Sequence, residues 1–202
     1  MSDGKIKKAS DEKSPIEDKW PDRVLVCSSE KVGLCILSRD DVPTIWKTIS
    51  DPDVNRFLNA RWRLHYLENE YKWYESLTSG SESERAFGIL VPGDTNVAGV
   101  IYLIDLDFKN RSSLIGCIVG KKHWRKGIAS EATELIKKYA FEEMNLRKLY
   151  ALVFEPNVAS IRVLEKTGFR NVGKYHSHVF VPGKGFVDEL MFEAFNQREV
   201  KR

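Results

Sequence analysis

The stretch IGCIVGKKHWRKGIASEATE, residues 115–134, constrains this fold more than any other part of the chain. A β-rich apolar run ends at Gly120, and a basic turn carries the chain to Gly127. Beyond it, Ile128, Ala132, Leu135, Ile136 and Tyr139 recur at i, i+4, i+7, i+8 and i+11, the pattern of a helix with one face on a sheet. A helix start leaves backbone N–H groups without partners and carries about half a positive charge. Gly127 puts no Cβ in the way of an approaching ligand. Ala129 and Ser130 keep the first turn uncrowded, and Arg125 and Lys126 add cationic charge. These features read as a cradle for a phosphate or pyrophosphate. A single glycine before a helix also serves as a plain turn, and this stretch alone does not choose. It lacks the second glycine and GKS/GKT ending of a Walker loop, and the three glycines of a dinucleotide fingerprint.

The rest of the chain supplies a sheet for that helix. RVLVCSSEKVGLCILS (23–38) has two β-rich runs around a polar turn at Ser28–Lys31, a hairpin. DDVPTIWKTIS (40–50) has an acidic start and Pro43 near its first turn, a helix closed by Asp51–Pro52. Leu67, Tyr71 and Tyr74 predict a second helix over 67–77, followed by a loop at 78–84. Segments 85–91, 96–108 and 114–120 read as a β-meander, and 146–154 as a further strand. A short helix spans 157–167, with Asn157 as N-cap and Gly168 just past its end. The segment FRNVGKYHSHVFVPGKGFVDELMFEAF (169–195) predicts a long hairpin turning at Pro182–Gly185. The order implies an α/β fold whose sheet has mixed pairing.

A length of 202 residues suits one domain over 21–202. Residues 1–20 are rich in Lys, Asp, Glu and Ser and read as a flexible N-terminal arm. A net charge of +3 is too weak to argue for duplex nucleic acid and suits an anionic small ligand. Three cysteines, Cys27, Cys35 and Cys117, show no CxxC spacing, so neither a disulfide framework nor a metal site is expected. No apolar run nears the ~18 residues of a membrane span, and MSDGKIKKAS has no apolar signal core. A cytoplasmic protein away from membranes is expected.

IGCIVGKKHWRKGIASEA (115–132), followed by NVASIRVLEKTGF (157–169), resembles the GNAT acetyltransferases, and more narrowly their RimJ/RimL-type branch. Ile115–Val119 stand where that family has an IGYWL-type strand, and Trp124–Ala129 where it has its WGKGYA-type turn. Asn157, Ser160, Arg162, Val163, Glu165, Lys166, Gly168 and Phe169 match its second signature. With the closing hairpin the likeness covers residues 85–195; over 20–80 it holds only in outline. It implies an α+β fold with a mixed, mostly antiparallel central sheet, splayed between its fourth and fifth strands and flanked by helices. The implied function is acetyl transfer from acetyl-CoA to a primary amine, a peptide N-terminus or a small molecule, by direct attack in a ternary complex. The N–H groups of Arg125, Lys126, Gly127, Ile128, Ala129 and Ser130 would hold the pyrophosphate. The backbones of Ile118 and Val119 would pair with the pantetheine arm, and the Val119 N–H would polarise the thioester carbonyl. Asn157 and Ser160 would contact pantetheine from the next helix. Lys126 and Arg162 are candidates for phosphate contacts, although Arg162 also suits a solvated helix face. A monomer or homodimer is expected.

The attacking amine must be neutral. A lysine amine, pKa ~10.4, is rarely so at pH 7, whereas an α-amine near ~7.7–8.0 is neutral about a tenth of the time. Many of these enzymes protonate the leaving thiolate with a tyrosine, and here Leu164 stands at its place. Ser160 fits the serine that the RimL-like branch uses instead, or it is a pantetheine contact or a helix hydroxyl bonded to its own backbone. The branch's glutamate after GF falls on Val179. His176 and His178 sit beside that position. They share one strand face, opposite Tyr175 and Ser177, and His178 is a candidate base or a bystander. Asp188 matches an acidic position in the last strand, structural or substrate-contacting. His123 lies too near the pyrophosphate to be the base.

Arg61, Trp62, Arg63, His65, Tyr66, Trp73 and Tyr74 form a cluster that is either core or an acceptor wall. Two further readings compete with an enzyme. One is a CoA-binding sensor or scaffold that kept the fold without turnover. The other is a nucleic-acid module using Lys121, Lys122, Arg125 and Lys126, which the weak net charge disfavours.

Overall fold

The computed structural model describes residue 20, residues 22–58 and residues 64–198. The expected arm, Trp20 apart, lies outside the described residues, as do Arg61, Trp62 and Arg63. Eight strands form one sheet: β1 (Leu25–Ser28), β2 (Gly33–Ile36), β3 (Glu84–Leu90), β4 (Gly99–Asp107), β5 (Ser112–Val119), β6 (Lys148–Phe154), β7 (Arg170–Val181) and β8 (Gly185–Phe195). Their order across the sheet is β1-β2-β3-β4-β5-β6-β8-β7. Every pairing is antiparallel except β5 with β6.

That parallel pair is short. Ser112, Ser113 and Leu114 pair with Lys148, Leu149 and Tyr150, and from Ile115 onward the two strands diverge. The expected splay is present. Counted in chain order it lies between the fifth and sixth strands rather than the fourth and fifth, because the N-terminal hairpin contributes two strands to the sheet.

Strand alternation sends side chains to two separate layers. On one face, Ile101, Leu103, Ile115 and Val119 meet Ile128, Ala132 and Ile136 of α4 (Ile128–Glu142), together with Leu164 of α5 (Val158–Lys166). On the other, Val100 and Tyr102 meet Ile45 and Ile49 of α1 (Val42–Ser50) and Trp73 of α3 (Leu67–Thr78). Each such buried aliphatic side chain is worth about 1.5–3 kcal/mol. Pro52 does end α1 as expected, but Asp51 then caps a further one-turn helix, α2 (Pro52–Asn55), by accepting the Asp53 N–H at 2.8 Å. Proline at a first helical position is compatible with both roles.

β4 and β5 approach closely where the splay begins. A Cβ added to Gly99 would collide with the Ile118 carbonyl oxygen, which is backbone and has no easy way to move. Gly99→Ala is therefore expected to cost about 1–3 kcal/mol in urea denaturation. It should also weaken binding of any ligand held along β5; a variant with wild-type stability would show that the strands can part there freely.

Candidate active site

The divergence of β5 from β6 opens a slot of about 310 Å³ that reaches both faces of the sheet. Thr133 of α4 and Asn157 and Ser160 of α5 line it on one side, and Phe57, Leu58 and Tyr102 on the other. The backbone of β5 forms one lip. Gly120 N–H donates to the Ala98 carbonyl at 2.8 Å. In an antiparallel ladder such bonds recur at alternate residues. Ile118 therefore turns its backbone to Val100 of β4, while Cys117 and Val119 turn theirs to the opening. Of the two residues expected to pair with an extended ligand through the backbone, only Val119 faces it. Ile118 contributes its side chain to the lining. The Trp124 indole N–H donates to the Val119 carbonyl at 2.7 Å, which leaves the Val119 N–H for a ligand.

The basic turn delivers the chain to α4 through two left-handed residues, Arg125 at φ +61° and Gly127 at φ +79°. No side chain caps α4, and a Cβ on Gly127 would meet nothing within 4 Å. The glycine is there for its backbone angle, and the space before the helix start is open. Ile128 is buried and anchors the first turn, Ala129 and Ser130 are half-buried, and Arg125 and Lys126 are exposed. Beside them a smaller cavity of about 150 Å³ is lined by Lys126, Gly127, Ser130, Glu131 and Glu134, with Lys31 from the β1–β2 turn and Lys166 from the end of α5. Three ammonium groups outnumber the two carboxylates and, beside an uncapped helix start, fit phosphate groups. Lys31 has no motif around it, so only the fold could reveal it.

Asn157 caps α5, its side-chain oxygen accepting the Ser160 N–H at 3.2 Å. Its oxygen is thereby committed, and its amide N–H groups remain for a ligand. The Ser160 hydroxyl makes no hydrogen bond to another described residue, unlike Thr167, whose hydroxyl donates back to the Val163 carbonyl at 2.9 Å. The self-bonded reading of Ser160 is not what the structure has. Leu164 lines the slot, and Arg162 is exposed on the outer face of α5.

The expected sharing of one strand face by His176 and His178 is overturned. Tyr175 pairs with Glu189 and Val179 with Val187, so His176, Ser177 and His178 all lie opposite Asp188 alone. Ser177 takes φ +45° in this bulge. The extra residues break alternation. His176 turns to Asp188, at 3.5 Å, and His178 to Glu189, at 3.7 Å, on opposite faces of β8. Asp188 is structural: it accepts from Lys174 at 2.6 Å and from the Ser177 N–H at 2.9 Å, and the lysine holds its carboxyl below the usual range. His178 does not line the slot. Glu189 does, and sequence reasoning passed over it. Burial pushes the Glu189 carboxyl above its ordinary value, against the pull of His178. Burial also pushes the Cys117 thiol to about 12 and the Tyr102 phenol upward. His123 is buried with Nε2 3.2 Å from Asp94, and burial lowers its pKa, against the pull of Asp94.

The aromatic cluster divides. Trp73 and Tyr74 pack into the core, with Trp73 edge-on to Tyr102 at 5.9 Å. His65 lies 3.6 Å from Glu70, and Tyr66 is exposed. Among the described residues, no cluster of His, Cys, Asp and Glu is arranged to hold a metal, and no helix is long and apolar enough to cross a membrane.

A family model described as acetyltransferase (GNAT) domain matches residues 32–170. The chain belongs to the GNAT acetyltransferases. It is 26% identical over 171 residues to the uncharacterized N-acetyltransferase p20 of Bacillus licheniformis, covering 84% of this chain and 95% of that one. It is also 26% identical to the spermidine N(1)-acetyltransferase of Escherichia coli K12, covering 78% and 82%. RimL, a ribosomal L7/L12 alpha-N-protein acetyltransferase solved in complex with coenzyme A, shares the fold at a TM-score of 0.76 and 15% identity, over 85% of this chain and 97% of that one. Enzymes of this family use acetyl-CoA. The uncapped start of α4, the open space at Gly127, the three lysines and the unpaired lip of β5 suit its phosphates and its extended arm.

Gly127→Glu would place bulk, negative charge and a strained backbone angle at the cradle. CoA binding should be lost in isothermal calorimetry while circular dichroism stays unchanged; undiminished affinity would remove the cradle from the site.

Proposed function

We propose that this GNAT enzyme transfers acetyl from acetyl-CoA to a primary amine, with both substrates bound at once on opposite sides of the slot. The observation that carries this is the slot itself, which passes between β5 and β6 and joins the two faces of the sheet. The α4–α5 side offers the cradle formed by Arg125, Lys126, Gly127, Ile128, Ala129 and Ser130, with Asn157 and Ser160 along the arm. The α1–α3 side offers Phe57, Leu58 and Tyr102 to an acceptor. The Val119 N–H points to the gap, where it would hold the carbonyl oxygen as negative charge develops on it; such a fixed donor is typically worth about 3–4 kcal/mol. Ser160 supplies a proton to the departing thiolate. Glu189, in the lining, favours an acceptor that arrives as a cation. A peptide N-terminal amine, as the RimJ/RimL-type signatures suggest, and a polyamine, as the spermidine-acting relative suggests, both meet that requirement.

Release of CoA thiol should be followed across peptides beginning with Ala, Ser, Thr and Met, free polyamines and aminoglycosides. One of these is expected to release thiol in step with acetylated product. Tight CoA binding with no release by any amine would instead make the chain a CoA sensor. Ser160→Ala should lower kcat by about a hundredfold with the CoA Kd unchanged. If binding weakens and kcat holds, Ser160 is a pantetheine contact only.

A further inference from the structure

Among the described residues, Glu189 is the one carboxyl side chain lining the slot. The other ionisable groups there are Tyr102 and Cys117, and burial keeps both protonated. We infer that Glu189 takes the proton from the incoming ammonium and that His178 carries that proton out to water. The inference rests on the amine acetylation proposed above and names its proton path.

Position comes first. Leu190, Phe192 and Ala194 of β8 face the core layer beneath α4 and α5, so Glu189 faces the other way, toward the acceptor side. Ser160 stands across the slot on α5. An amine that enters the slot from the Tyr102 side therefore enters on the face that Glu189 presents, with Glu70 and Glu84 also near Tyr102. Glu189 is only 4% exposed and makes no hydrogen bond to another described residue. A buried carboxylate without hydrogen-bond donors is costly and is a mark of a functional group.

A buried base must also discharge its proton, and His178 is placed for that. It is half exposed, and its Nε2 lies 3.7 Å from the Glu189 carboxylate, a gap that closes with a small rotation in the bound state. Tyr175 holds the imidazole by stacking at 4.8 Å. The bulge pinned by Asp188 brings it to this face at all. The titratable groups facing Glu189 are Tyr175 and His178 from β7; Tyr102 of β4 lies on the same side of the sheet with Glu70 and Glu84 beside it, whereas Cys117 of β5 turns toward α4 and α5, β6 presents Phe154 and α5 presents Ser160.

The step balances. The ammonium gives one proton to the Glu189 carboxylate, and the neutral amine attacks the thioester carbon. The C–N bond forms and the C–S bond breaks. The nitrogen gives up its second proton and the sulfur gains one, with the Ser160 hydroxyl donating and accepting in turn. Glu189 then passes its proton to the imidazole, which releases it to solvent.

Glu189→Gln should lower kcat by about a hundredfold or more at pH 7 while binding CoA normally. Its rate should then climb with the free-amine fraction, about tenfold per pH unit. His178→Ala should lower kcat with the amine KM unchanged in dilute buffer, and added imidazole should restore most of the loss. Infrared titration of the carboxyl band, assigned through Glu189→Gln or Glu189→Asp, reads the pair without turnover. Because His178 pulls the Glu189 carboxyl down, its removal should move that titration to higher pH. A Glu189→Gln protein with wild-type rate and pH profile overturns the inference. So does a His178→Ala protein that is indifferent to imidazole, or one whose carboxyl titrates where the wild type does. Failure of every amine to release thiol from the wild type overturns the acetylation reading, and the infrared titration then still decides whether the two side chains are coupled.

Discussion

Beyond Leu114 the β6-facing side of β5 has backbone N–H and C=O groups but no strand to bond them. An unpaired backbone group kept from water costs about 1–3 kcal/mol, so a ligand that shuts water out of the gap must bring partners for these groups. An extended molecule carrying amides of its own would supply them. The rest of the site is arranged around that demand. α4 begins where such a molecule's anionic end would lie, α5 runs along its length, and β8 brings a carboxylate to the far side of the gap.

The parts of this arrangement that could be read from sequence are those whose determinants sit close together along the chain. Gly127 and the apolar repeat of α4 lie within one stretch, and the structure gives the glycine its left-handed angle. Asn157 and Gly168 bracket α5 as their residue types suggest. The parts that stayed hidden arrive across the sheet. Asp188 and Glu189 are adjacent carboxylates of nearly equal chemistry, and only register decides which one enters the slot. Lys31 comes from the first hairpin and reaches the cradle through tertiary packing alone.

His176 and His178 show a different obstacle. Period-two reasoning is sound for a regular strand, and β7 is not regular. The bulge adds residues opposite Asp188, and the hydrogen bond from Ser177 N–H fixes that excess. Nothing in YHSHV announces a bulge, since serine at positive φ carries no sequence signature of the kind glycine does. Ile118 departs from expectation for a related reason: adjacent residues in one strand offer their backbones to opposite neighbours, and parity follows from the Gly120–Ala98 bond rather than from residue type.

Trp124 joins two regions that could otherwise drift apart. Its indole ties the basic turn to the Val119 carbonyl, so the proposed phosphate-holding loop and the lip of β5 are joined directly. Under the proposed function such a link would act as a ruler. The span from the phosphates of a bound carrier to its acyl carbon would be set by protein atoms tied to each other. An acyl group longer than acetyl would then extend forward, into the part of the slot lined by Tyr102 and Glu189, where the proposed amine enters.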